Sequence, residues 1–114
     1  METILVNIGI SVLTGLIFIC AGLALIYRPP KEINGAYGYR TKRSMKNSFL
    51  WKKGNSYSGK LLIINGILMG VLGSILACII TKFEYAMFTI IGLMFVLIFF
   101  LIAKVEKKLK SLDK

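Results

Sequence analysis

Residues 61–103 read LLIINGILMGVLGSILACIITKFEYAMFTIIGLMFVLIFFLIA. Charge enters this stretch only at Lys82 and Glu84, which separate an uncharged run of 21 residues, Leu61–Thr81, from one of 18, Ala86–Ala103. Upstream, Ile4–Tyr27 carries no charge over 24 residues. At a rise of ~1.5 Å per residue the three runs, in chain order, reach roughly 36, 31 and 27 Å, against a hydrocarbon core of about 30 Å. Lipid offers backbone amides no partner, so each run must close its own hydrogen bonds as a helix. The expected fold is an all-α membrane protein, a single module over 1–114. Its spans are at about 4–27, 61–81 and 86–103, with a tight turn at Lys82–Tyr85 and a basic tail at 104–114.

Between the first two spans lies Arg28–Lys60, RPPKEINGAYGYRTKRSMKNSFLWKKGNSYSGK, with nine Lys or Arg and one acid, Glu32. The tail Lys104–Lys114 carries five more, whereas the opposite side has only Lys82. This bias predicts a cytoplasmic loop and tail and an external N-terminus. Before the first run the one charged side chain is Glu2, and the basic residues follow it. That order predicts a retained first helix rather than a cleaved signal. The net charge of +10 is distributed by topology, so it suits anionic lipid better than direct nucleic-acid binding.

Cys20 and Cys78 are expected to be free thiols. In this topology they sit about 10 and about 25 Å from the basic end of their helices, whereas a disulfide needs Cα atoms within ~7 Å. The chain has no His, no CxxC and no paired carboxylates, so neither a metal nor another cofactor is expected. No nucleophile–base pair stands out either, which argues against an enzyme.

Inside the spans, Gly66, Gly70, Ser74 and Cys78 recur every four positions, with Gly73 and Ala77 beside them. Asn7, Ser11 and Gly15 form a similar ladder on the first helix. Small side chains permit close helix approach. Two uses stay open for the stripes: packing the three helices together, or a homodimer interface. The absence of charge within the spans argues against a proton-coupled transporter.

The long loop is expected to be structured. Arg28-Pro29-Pro30 stops the first helix, and Asn34-Gly35 and Gly38 mark sharp turns. A helix is expected from about Ser44, a good N-cap, merging with the second span. On it Ser44, Asn47, Trp51, Asn55 and Ser58 fall within about 80°, and an unbroken helix would add Asn65. Lys46, Lys52 and Lys53 lie off this stripe. Arg40, with its planar five-donor fork, is the expected centre of a cluster with Asn34, Tyr37, Ser44, Asn47, Trp51 and Asn55.

The string Ile33-Asn34-Gly35-Ala36-Tyr37-Gly38-Tyr39-Arg40-Thr41, followed by Ser44, Asn47, Trp51 and Asn55, resembles the signature of the SdpI family. These are small bacterial membrane proteins named for immunity to a sporulation-delaying peptide toxin. Gly54 stands where a small residue such as Ala is expected. Larger members carry additional membrane helices ahead of this module. The resemblance implies a protein of the bacterial plasma membrane that protects against a membrane-active peptide toxin. It also implies capture of a small transcriptional repressor through the basic loop and tail. Three rivals remain: a holin-like pore former, a lipid-headgroup-binding protein or enzyme gripping phosphate through Arg40, and an accessory subunit of a larger complex.

Overall fold

The computed structural model describes residues 2–113. Three long helices, α1 (Glu2–Tyr27), α2 (Ser48–Ile79) and α3 (Phe83–Leu112), follow one another antiparallel, with no strand among the described residues. All three are long and apolar enough to cross a membrane. The molecule measures 52 × 24 × 20 Å. The helices of 32 and 30 residues, α2 and α3, reach about 48 and about 45 Å, so they overshoot an apolar layer of about 30 Å at one end.

Burial is inverted relative to a water-soluble bundle. On α1 the buried residues are Asn7, Ser11, Gly15, Gly22 and Leu25. Large apolar side chains face outward, among them Leu13, Ile17, Ile64, Phe88 and Phe99. In lipid an exposed Leu costs nothing, and association rests on close packing and hydrogen bonds instead. The chain is a multi-pass membrane protein.

The central helix is α2, with α1 close on one side and α3 on the other. A Cβ added at Gly15 would lie 2.5 Å from Gly66 O, one at Gly22 would lie 2.5 Å from Gly59 O, and one at Gly73 would strike Ser11. Gly66 and Gly73 therefore face α1. Above Gly70 there is open space, and Ser74 bonds back to the Gly70 carbonyl of its own helix. Two buried asparagines tie α3 to the bundle: Asn65 Nδ2 donates to Leu97 O at 2.9 Å, and Asn7 Nδ2 to Phe83 O at 3.3 Å. Met69, Ala77 and Ile90 pack where α2 meets α3, toward the short turn. Cys20 and Cys78 are free and exposed.

Several boundaries differ from the sequence expectation. α2 starts at Ser48 rather than near Ser44, because Asn47 takes the cap: its side chain accepts the Leu50 N–H at 2.8 Å. Ser44 is instead buried in the preceding turn, where its hydroxyl serves the loop backbone. The α2–α3 break is shorter than Lys82–Tyr85 and falls at Ile80–Lys82, so Glu84 lies in the first turn of α3, where the helix dipole favours an acid. The basic tail is helix through Leu112. Leu101, Val105 and Leu109 recur every four residues and pack against Leu50, which extends α3 beyond the span.

Candidate functional site

Where α2 and α3 overshoot, the segment 28–47 folds back onto them. The α1 helix ends with Arg28 N–H on Ala24 O, and the two prolines then turn the chain. Trp51, fully buried on the second turn of α2, donates its indole N–H to Pro30 O at 2.8 Å. One turn on, Asn55 Oδ1 accepts the Tyr39 N–H at 2.6 Å, while Asn55 Nδ2 donates to Trp51 O at 2.8 Å. Gly38 lies over this pair with φ +115°, a conformation that side chains disfavour. A Cβ there would meet Asn55 Oδ1 at 2.6 Å, Pro30 Cγ at 2.8 Å and the Trp51 ring at 3.2 Å. The helix thus holds the loop through one indole, one amide and one bare backbone.

Ser44 closes the loop from beneath. Its Oγ accepts the Thr41 N–H at 2.8 Å and lies 2.9 Å from Tyr39 O and 3.1 Å from Thr41 O, either of which can take its proton. Thr41 Oγ1 accepts the Ser44 N–H in return at 3.2 Å. From α3, Glu106 Oε2 accepts the Tyr39 hydroxyl at 2.9 Å and the Thr41 hydroxyl at 3.1 Å. Burial raises the Tyr39 pKa well above its usual value, and the hydrogen bond to Glu106 and its negative charge add to the shift. Tyr39 is therefore a fixed donor. Asp113, at the end of α3, pairs with Lys46 at 2.8 Å and with Arg43 at 3.8 Å.

The sequence-derived residues separate into two groups and a cap. Gly38, Tyr39, Thr41, Ser44, Trp51 and Asn55 form the inner clasp just described, joined by Ser58, whose hydroxyl donates to Asn55 O at 3.2 Å. Asn34, Tyr37 and Arg40 form an outer turn. Asn34 Oδ1 accepts the N–H groups of Ala36 and Tyr37 at 2.9 and 2.7 Å, and the Tyr37 hydroxyl donates to Arg28 O at 2.8 Å. Arg40 is exposed and donates to Gly35 O. It sits at the rim, and the centre belongs to Trp51 and Asn55. A flexible guanidinium is easily hydrated, whereas an indole gains from complete burial. Asn47 is exposed and acts as the helix cap.

Glu106 and the Pro30 carbonyl are clasp partners that the sequence reading missed. Glu106 did leave a signal, as the single acid in the run Lys104–Ser111. Beside the clasp, a cleft of about 550 Å³ opens where α1 ends. Leu25, Ile26 and Pro29 give it an apolar wall, and Lys31, Lys52 and Ser56 give it a polar one. Lys52, off the predicted stripe, thus enters a cleft that Asn55 also lines. Among the described residues, no group of three or more His, Cys, Asp or Glu is arranged to hold a metal ion.

The sequence pattern of the SdpI/YfhL protein family matches residues 31–104, more than half of the chain and the whole clasp except Pro30 and Glu106. The chain is also 43% identical over 68 residues to a Bacillus subtilis (strain 168) protein named uncharacterized protein YfhL. That match covers 56% of this chain and 62% of the relative, so this chain spans under two thirds of that protein's length. No solved structure matches. With the membership pattern lying across the loop, the clasp and the second and third helices, this three-span membrane chain belongs to the SdpI/YfhL protein family.

Proposed function

We propose that this chain is an immunity protein of the bacterial plasma membrane, binding a membrane-active peptide toxin at the end of the bundle that carries the clasp. The observation that carries the reading is the cleft of about 550 Å³ beside the clasp, apolar at Leu25, Ile26 and Pro29 and cationic at Lys31 and Lys52. A peptide that partitions into bilayers presents apolar side chains next to polar ones, and this cleft offers both partners where the apolar belt ends. The clasp fixes Pro30 against Trp51 and so holds one wall in place. Neutralisation by binding requires no bond-making, and the reading is non-enzymatic.

The test is protection of a sensitive bacterial cell. Expression of the chain raises resistance to the cognate peptide and leaves unrelated pore formers effective. Ser56→Trp fills the cleft mouth without touching the clasp, and Lys52→Gln removes one cationic wall. Both lower protection at an unchanged membrane level. Lys53→Gln, on the other side of α2, leaves protection intact. Protection that survives Ser56→Trp removes the cleft from the reading. Full sensitivity of expressing cells to a panel of such peptides removes immunity itself.

The same proposal includes capture of a small transcriptional repressor at the basic end of the bundle, supported by the Lys and Arg gathered there. A repressor encoded beside the chain should move to the membrane fraction only when chain and toxin are both present.

A further inference from the structure

A second basic feature lies between α2 and α3, at the same end of the bundle. Two adjoining hollows of about 380 and 170 Å³ share Tyr57 and Lys108. Lys53 and Lys60 of α2, and Lys104 and Lys107 of α3, also stand on their rim. Lys53, Tyr57 and Lys60 follow helical spacing, as do Lys104, Lys107 and Lys108, so each helix turns one face to the groove.

Five lysines thus line one groove, and no acid lines it. The acids of this end of α3 are engaged elsewhere, Glu106 with Tyr39 and Thr41, and Asp113 with Lys46 and Arg43. None of the five lysines forms an ion pair among the described residues. Like charges gathered this way repel one another until an external anion joins them.

Depth identifies the anion. Lys60 and Lys104 are the last charges before the uncharged stretches of α2 and α3, and the Asn65–Leu97 bond sets those stretches side by side. The groove therefore opens at the rim of the apolar belt. One turn into the belt, on the faces of Lys60 and Lys104, lie Ile64 and Phe100, exposed by 52% and 56%. A cationic hollow continuous with an apolar strip matches a molecule with a phosphate at one end and an acyl chain at the other.

We propose that the α2–α3 groove binds an anionic phospholipid. Its phosphate lies among Lys60, Lys104 and Lys108, the Tyr57 hydroxyl faces it, and an acyl chain runs along Ile64 and Phe100. The site shares Ser56 with the peptide cleft on the α1 side and none of that cleft's lysines.

The full chain, purified in a neutral detergent, is offered equimolar phosphatidylglycerol and phosphatidylcholine, and bound lipid is counted by native mass spectrometry. One phosphatidylglycerol is retained, in about tenfold preference over phosphatidylcholine. Lys104→Gln/Lys107→Gln/Lys108→Gln abolishes the preference. The charge-matched control Lys31→Gln/Lys42→Gln/Lys110→Gln retains it. These side chains are exposed, and unchanged Trp51 emission reports that each variant is folded. An equal loss in both triple variants reduces the effect to net charge and overturns the site. So does equal retention of the two lipids. Displacement of the lipid by millimolar inorganic phosphate, or stronger binding of a soluble hexaglutamate peptide, assigns the groove to a free phosphate or to an acidic protein instead.

Discussion

At Gly38 the backbone stands at φ +115°, and the space a Cβ would take is filled by Asn55 Oδ1, Pro30 Cγ and the Trp51 ring. Gly38→Ala therefore meets strain of about 1–2 kcal/mol from the backbone alone, before any clash. The loop is expected to lift while the helices stay formed. Trp51 is the one tryptophan of the chain and is fully buried, so its emission reads this directly. Gly38→Ala should shift it to the red and open it to acrylamide, with helical circular dichroism unchanged. Tyr39 supplies a second test. Its folded pKa lies above that of the unfolded chain, so it stabilises fully below about pH 10 and its contribution falls as pH rises beyond that. The native phenolate absorbance at about pH 11 should be the same in Tyr39→Phe as in the parent, whereas the denatured variant should show one ionising tyrosine fewer. A native amplitude that falls with the substitution would place Tyr39 in solvent.

Among the elements, the α1–α2 contact is made by backbones and the clasp end by side chains, and two substitutions separate these cases. A Cβ at Gly22 would lie 2.5 Å from Gly59 O, a backbone atom on a packed helix that has no room to yield. Gly22→Ala should cost about 1–3 kcal/mol, seen as a lower midpoint when the protein is unfolded from mild detergent by dodecyl sulfate. A Cβ at Gly54 would meet Leu109 Cδ1 at 3.3 Å, with Ser44 Cβ and Tyr39 Cδ1 at 3.4 Å. The tightest of these is the tip of a flexible side chain, and Ala is the better helix former by up to about 1 kcal/mol. Gly54→Ala should therefore be neutral or slightly stabilising in the same measurement. Leu50, Val105 and Leu109 pack where α2 and α3 leave the apolar belt, which lets both helices continue and present Trp51, Asn55 and Glu106 to the loop.

For the whole molecule, the distribution of Lys and Arg predicts that the clasp and both lysine-lined hollows lie in the cytoplasm. A reporter fused to the C-terminus should be active only inside the cell. A cysteine placed at Glu2, in a chain whose Cys20 and Cys78 are replaced by Ser, should react with an impermeant maleimide from outside. Labelling only after permeabilisation would invert the molecule.

Read alone, the sequence determined the three membrane helices, because the uncharged lengths of Ile4–Tyr27, Leu61–Thr81 and Ala86–Ala103 leave the backbone no other way to satisfy itself in lipid. It also marked Gly38, Ser44, Trp51 and Asn55 as unusual, since solvated connectors have no use for a tryptophan amid amides at helical spacing. Partners were decided by the tertiary structure. Glu106 lies 67 residues from Tyr39, and the Pro30 carbonyl that Trp51 selects is a backbone group without a sequence signature. Arg40 drew attention by its chemistry, yet water solvates a guanidinium so well that the rim suffices for it, and the clasp closed around the indole instead. The direction each small residue faces was likewise settled by helix rotation: Gly66 and Gly73 point at Gly15 and Ser11, while Gly70 passes Gly15 with its backbone and leaves its Cβ direction open.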